Sequence, residues 1–226
     1  MKKIKAFTLA EILITLSIIG VAAALTIPTL IQRTGNEELV SRLQKAYSTL
    51  SRATEAVMTE QGSPRIWAAS GQNIYESYKA HLRVSKDCGS SGGCFPQLNG
   101  GKRYKNLNGT QNASSGWNNT VKADRNTMIL SDGTQIIFWE NPNPECNGDS
   151  YGSRNVCAGI SIDTNGAKGP NTAGRDVFIL NLKADGLYPG GCDEYGVYCD
   201  PASGDINKNA GYGCACKVIS EGAMNY

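Results

Sequence analysis

Residues 7–31 read FTLAEILITLSIIGVAAALTIPTLI, an almost unbroken apolar run with one carboxylate, Glu11, near its start. Leu, Ile and Ala dominate it. As a helix it would extend roughly 37 Å, enough to cross a hydrocarbon core of about 30 Å with some tilt. Helix is the state such a run takes in lipid, because every backbone N–H and C=O must be paired within the segment. Glu11 is the residue that needs a reason. An ionised carboxylate in hydrocarbon costs several kcal/mol without a neutralising partner, and no basic residue lies within a turn or two on its C-terminal side. The nearest available cation is a new α-amine, which a cut just before Phe7 would create on this chain or on a neighbouring copy.

Taken together, M-K-K-I-K-A, then F-T-L-A-E, then the apolar helix resemble the class III leader of type IV pilins and type II secretion pseudopilins. The resemblance implies that a prepilin peptidase cuts between Ala6 and Phe7 on the cytoplasmic side and that Phe7 is then N-methylated. It implies that Glu11 is the carboxylate that meets a neighbour's N-terminus during assembly. Gly20 and Pro28 fall where members often carry Gly and Pro. One position departs: the residue before the cut is usually Gly and is Ala6 here. Ala is also small, so slower or equal processing is expected. The partners implied are the prepilin peptidase, other pilin or pseudopilin subunits and the inner membrane. The placement implied is a single pass through that membrane, with the C-terminal domain in the periplasm or on an extracellular filament.

Two other readings of the stretch stay open. Lys2, Lys3 and Lys5 form a basic n-region, Ile12 to Val21 an h-region, and Ala22-Ala23-Ala24 an A-x-A site, so an ordinary signal peptide would leave Leu25 as the mature start. Against this, a signal h-region rarely begins with Glu, and the apolar run continues through Leu30 and Ile31. An uncleaved signal anchor is the third reading. All three keep the lysines inside and send the bulk of the chain out.

The 226 residues suffice for one anchor and one globular domain. Without Lys2, Lys3 and Lys5 the 22 basic side chains fall to 19, against 20 acidic ones. So balanced a domain has no global electrostatic footprint for nucleic acid, and none is expected as a partner. The trio Lys102, Arg103 and Lys105 reads as a solvated loop. Eight cysteines, Cys88, Cys94, Cys146, Cys157, Cys192, Cys199, Cys214 and Cys216, all lie in the exported part. In an oxidising compartment they read as up to four disulfides of open connectivity. Short loops favour Cys88 with Cys94 and Cys146 with Cys157. Cys214 and Cys216 are too close to pair comfortably and are expected to reach Cys192 and Cys199. A zinc site is disfavoured, because there is no C-x-x-C pair and His81 is the only histidine.

Beyond the apolar run, Leu39, Leu43, Ala46, Tyr47, Leu50, Ala53 and Val57 recur three and four apart, with Glu37, Glu38, Arg42, Lys45, Arg52 and Glu55 on the other side. Gly62-Ser63-Pro64 stops the pattern. Pro28 and Arg33–Asn36 mark a kink or brief break. The expectation is one long helix, with a leader at 1–6, a membrane or filament-core half at 7–31 and an amphipathic half at 32–62. A globular domain at 63–226 follows. Arg65 to Ser85 reads as a short helix or two, and the lone His81 is assigned no role. Cys88 to Thr120 is a long Gly/Ser/Asn loop with at most one short strand. Its sequons at Asn108, Asn112 and Asn118 are not read as glycosylated. Met128–Leu130 and Gln135–Trp139 flank an Asp-Gly turn as a hairpin. Ala158–Ile162 and Asp176–Leu182 give two more strands, and the tail from Tyr188 reads as a loop. The fold class expected is α+β, pilin-like: a long N-terminal helix packed on a small antiparallel sheet, with disulfide-tied loops.

Between the last two strands, Asp163, Asn165, Asn171 and Asp176 offer oxygens that a hard cation such as calcium accepts. The D-x-N-G start is like a calcium loop, but no Glu occupies the twelfth position of an EF-hand. Some secretion pseudopilins are similar in holding calcium in a loop near the end of the sheet. Asx-turns capping a long β–β connection are the stronger reading. No Ser-His-Asp set, metal triad or P-loop is visible, so no enzyme is expected, and no cofactor other than calcium is considered. The function expected is a structural subunit of a type IV pilus or type II secretion filament. The alternative is a minor tip pilin that acts as an adhesion or ligand-binding module.

Overall fold

Helix α1, Leu9–Gln61, runs unbroken for 53 residues. Pro28 lies inside it, and the Arg33–Asn36 stretch does not break it. Two local contacts are made within that stretch. Arg33 Nε meets Glu37 Oε1 at 3.1 Å, and the Thr34 hydroxyl donates to Leu30 O at 2.5 Å. The computed structural model describes residues 8–70, 73–99, 101, 104–111, 125–139 and 143–226. It divides into two compact units, Met1–Glu38 and Leu39–Tyr226.

In the first unit the apolar side chains stand in the open. Leu9, Leu16, Ile18, Leu25 and Ile31 are all more than half exposed. The most apolar window of the helix has a mean hydropathy of 2.2 and is 0% buried. Its few polar side chains are turned back onto the helix: Thr15 donates to Glu11 O, Ser17 to Leu13 O and Thr26 to Ala22 O. Hydroxyls satisfied in this way add no exposed polar demand to the apolar surface.

In the second unit the stripe Val40, Leu43, Ala46, Leu50, Ala53 and Val57 is buried. It packs with Trp67, Tyr75, Tyr78 and the inner face of a sheet. Thr54 sits within the stripe and is satisfied there, bonded to Leu50 O at 2.8 Å and to the Tyr78 hydroxyl at 2.5 Å. Helices α2, Pro64–Ser70, and α3, Ile74–Lys79, follow. The Asn73 side chain caps α3 by accepting from Glu76 N at 3.2 Å.

The sheet holds six strands among the described residues: β1 Val84–Gly89, β2 Arg125–Leu130, β3 Gln135–Trp139, β4 Val156–Asp163, β5 Val177–Lys183 and β6 Gly186–Pro189. Neighbours in sequence are neighbours in space, all antiparallel. The β2–β3 turn is the Asp132-Gly133 hairpin, with Gly133 at φ +89 and Leu130 N bonded to Thr134 O at 2.9 Å. Four strands are expected from the sequence, and two more form. β1 is a polar edge strand with two register breaks against β2. β6 is only four residues long.

The sheet is buried on both faces. Met128, Ile136, Phe138, Ile160, Ile162, Phe178, Leu180 and Leu182 face the helix layer. Ile137, Val177 and Ile179 face a second cluster built from loops, with Phe95, Tyr104, Ala210 and Tyr212. Three short helices lie in the connections and the tail: α4 Pro96–Asn99, α5 Ile206–Asn209 and α6 Cys214–Glu221, the last packing in the helix-side cluster. The tail is therefore not all loop, because α6 buries Cys214, Ala215, Cys216 and Val218. Four disulfides tie the unit: Cys88–Cys94, Cys146–Cys157, Cys192–Cys216 and Cys199–Cys214. At the C-terminal pair the backbones of Gly191 and Gly213 touch. A Cβ on Gly191, whose φ is +89, would lie 2.1 Å from Gly213 O.

Candidate functional site

The N-terminal site is built on the sequence Thr8-Leu-Ala-Glu11. Thr8 directly precedes the helix. Its backbone N–H and its hydroxyl donate to Glu11 Oε2 at 2.8 and 2.9 Å. Glu11 N donates in return to Thr8 Oγ1 at 3.3 Å. This reciprocal arrangement is a capping box, in which a Thr before the helix and a Glu three residues on satisfy each other's amides. The T-x-x-E signal is visible in the sequence, yet Thr8 is absent from the sequence-based site, where Glu11 is read as an assembly carboxylate and not as part of a helix cap. Among the described residues the donors that reach Glu11 are uncharged, and they orient the carboxylate without cancelling its charge. Ala6 and Phe7 lie outside the described residues.

The second candidate is the connection from β4 to β5, where Asp163 and Asp176 are both fully buried. Thr164 N donates to Asp176 O at 2.8 Å, which closes the base of the loop. Asp163 Oδ1 accepts from Asn165 N at 3.2 Å and Gly166 N at 2.8 Å. Its Oδ2 accepts from the Tyr104 hydroxyl at 2.7 Å and from Gln97 Nε2 at 3.3 Å. Asp176 accepts from Asn171 N and Thr172 N, each at 2.7 Å. Burial raises both carboxyls, Asp163 to about 8, with the charge of Asp176 adding to the rise, and Asp176 to about 6.

The four residues singled out from the sequence thus gather around one loop, in two roles. Asp163 has an acceptor position filled by each of four donors, which is the work of an Asx-turn anchored on a buried polar network. Asn165 Oδ1 and Asn171 Oδ1 are buried and accept no hydrogen bond among the described residues. Those two amide oxygens, with Asp176, are the groups that fit a hard cation. Among the described residues no group of three or more His, Cys, Asp or Glu side chains is arranged for a metal. Any cation here would therefore rest on amides as much as on carboxylates. Tyr104 and Gln97, which complete the network, carry no sequence signal. They lie in and beside a Gly- and Asn-rich stretch that reads as a loop.

Residues 1–27 match a family model, the prokaryotic N-terminal methylation motif. This is the signature of type IV pilins and pseudopilins. No curated protein and no solved structure matches the chain.

Proposed function

We propose that this chain, which carries the type IV pilin and pseudopilin signature, is a structural subunit of a type IV pilus or type II secretion filament. The observation that carries the reading is the pairing of that motif with an apolar helix half whose side chains have no cover of their own. In this reading a prepilin peptidase cuts between Ala6 and Phe7, and the new amine of Phe7 is methylated. Residues 1–6 are the leader, 7–31 the span in the inner membrane and later in the filament core, 32–62 the amphipathic half, and 63–226 the exported globular domain.

Assembly then turns on electrostatics. The carboxylate of Glu11 is held in place by Thr8, and the amine of an adjacent subunit supplies the missing positive charge in a dry setting. The pair fixes register, and the apolar helices bundle around it. The Glu11→Val variant is expected to be processed and inserted normally while its incorporation into filaments drops. Normal incorporation would remove the role assigned to Glu11.

A second reading, a minor tip pilin that binds a ligand, draws on the loop layer that covers the outer face of the sheet and is tied by Cys88–Cys94. Counting copies per filament separates the two, many for a structural subunit and one or a few for a tip protein. Calcium in the β4–β5 loop, at Asp163, Asn165, Asn171 and Asp176, is a further proposal supported by the two buried amide oxygens. Calcium should raise the melting temperature of the full chain above its value in chelator, and Asn171→Ala should abolish that rise. Equal melting in both conditions would leave the loop a structural turn.

A further inference from the structure

Among the described residues a groove lies on each flank of α1 in the globular unit, and the two carry opposite charge. Around the helix, the buried stripe of Leu43, Ala46, Leu50 and Val57 lies between two other stripes at helical spacing. On one flank Lys45, Thr49, Arg52 and Ala56 line a groove of about 520 Å³ with His81, Arg83 and Asp132. Lys45, Arg52 and Arg83 are all exposed. Asp132 is the only carboxylate lining this groove and is already paired with Lys45 at 3.0 Å. The ring of His81 is turned to Glu60 at 3.2 Å. Arg52 uses Nε on Ser48 O at 3.3 Å, which leaves the outer end of its guanidinium facing out. The flank is cationic.

On the other flank Tyr47, Ser51, Glu55, Met58, Asp185 and Tyr188 line a groove of the same size, about 520 Å³. Glu55 and Asp185 are exposed, and no Lys or Arg lines the groove. Two cations, Arg65 and Lys183, share an adjoining groove with Asp185 and Tyr188, and Lys183 Nζ lies 5.2 Å from the Tyr188 ring centroid, but each also has a partner elsewhere. Lys183 pairs with Asp193 at 2.7 Å, and Arg65 donates to Glu145 O at 2.9 Å. The Tyr188 hydroxyl donates to Asp185 Oδ2 at 3.0 Å and orients it. This flank is anionic.

We propose that the cationic groove of one copy receives the Glu55 and Asp185 rim of the next, so that the globular units dock laterally on one another; this rests on the filament reading above. The occupant is a second copy because one surface carries both halves of the complement. A two-fold pairing flank to flank would set like charge against like. The matched pairing is heterologous, and a heterologous contact that does not close repeats into an open helical array. Exposed charge pairs of this kind are individually weak and screened by salt. They therefore set which faces meet, while the apolar helices supply most of the cohesion.

The test is zero-length carbodiimide cross-linking of the full chain in its assembled form, which joins a lysine to a carboxylate in contact with it. Expected, beside the Lys45–Asp132 link that the 3.0 Å pair gives within one chain, is a cross-linked dimer whose linked peptides join Lys45 to Glu55 or Asp185. A Lys45–Glu55 link within one chain is excluded, because ten residues of helix separate them by about 15 Å. The Arg52→Glu/Arg83→Glu chain should lose the link by about five- to tenfold. The chain that also carries Glu55→Lys/Asp185→Lys has both grooves reversed and should recover assembly to near the unmodified level. The proposal is overturned if assembled protein gives no such link, if the Arg reversal leaves its yield unchanged, or if the fourfold reversal fails to recover assembly while the chain still folds with its disulfides formed. If the unmodified chain is not found in a filament at all, the filament reading itself fails, and the two failures are thereby told apart.

Discussion

Glu11 and Asp163 are both carboxylates with more than one hydrogen-bond donor, but they stand in different electrostatic positions. Glu11 is oriented by Thr8 and left with its charge. Asp163 is surrounded by donors and still raised, because burial and the neighbouring Asp176 disfavour a second negative charge. The folded-state values of Asp163 and Asp176, about 8 and about 6, lie above the unfolded value of about 3.9. Between pH 4 and 8 the native state therefore holds more protons than the unfolded one, and these groups make stability fall as pH rises through that window. Thermal melting of the full chain should show a higher midpoint near pH 5 than near pH 8.5, and Asp163→Asn should flatten the difference. A midpoint that rises across this range with no effect of Asp163→Asn would show the carboxylates to be ionised without penalty. At this scale the sequence is legible where chemistry is local. The T-x-x-E spacing announces the cap, and Asp163-Thr-Asn-Gly announces the turn. The bond from Tyr104 to Asp163 joins residues 59 apart in the chain, and no local pattern announces it.

Among the elements, α1 is the most legible, because its apolar stripe keeps helical spacing from Leu39 to Val57. The hairpin at Asp132-Gly133 is legible for the same reason of strict local pattern. β1 is hidden because an edge strand of sequence VSKDCG carries charge where a central strand carries Val or Ile. β6 is hidden because GLYP is short and ends in Pro. Leu50, which is 0% exposed at the centre of the helix–sheet contact, should cost about 2–5 kcal/mol when changed to Ala, measured by chemical denaturation. The tail depends on tighter constraints. The Cys199–Cys214 disulfide spans 15 residues, and Cys199→Ser/Cys214→Ser should cost about 3 kcal/mol and raise amide exchange in α6. Gly191→Ala should be at least as damaging, since its Cβ meets the carbonyl of Gly213 and the φ disfavours any side chain. Retention of native stability by that variant would show that the two backbones part at little cost.

For the whole molecule, the sequence conveys the class of fold and the place of the long apolar helix, while the two-sided burial of the sheet emerges only in three dimensions. Phe178 and Leu180 alternate with Val177 and Ile179, so both faces of β5 are apolar. What covers the outer face is a set of loops with no period of their own, tied by Cys88–Cys94. The same scale holds the functional claim, that an acid near the start of an apolar helix is retained because a newly made amine answers it. Mass spectrometry of the mature N-terminus tests this most directly. The expected result is a chain that begins at N-methylated Phe7. A mature chain that still begins at Met1, or one that begins at Leu25, would contradict it.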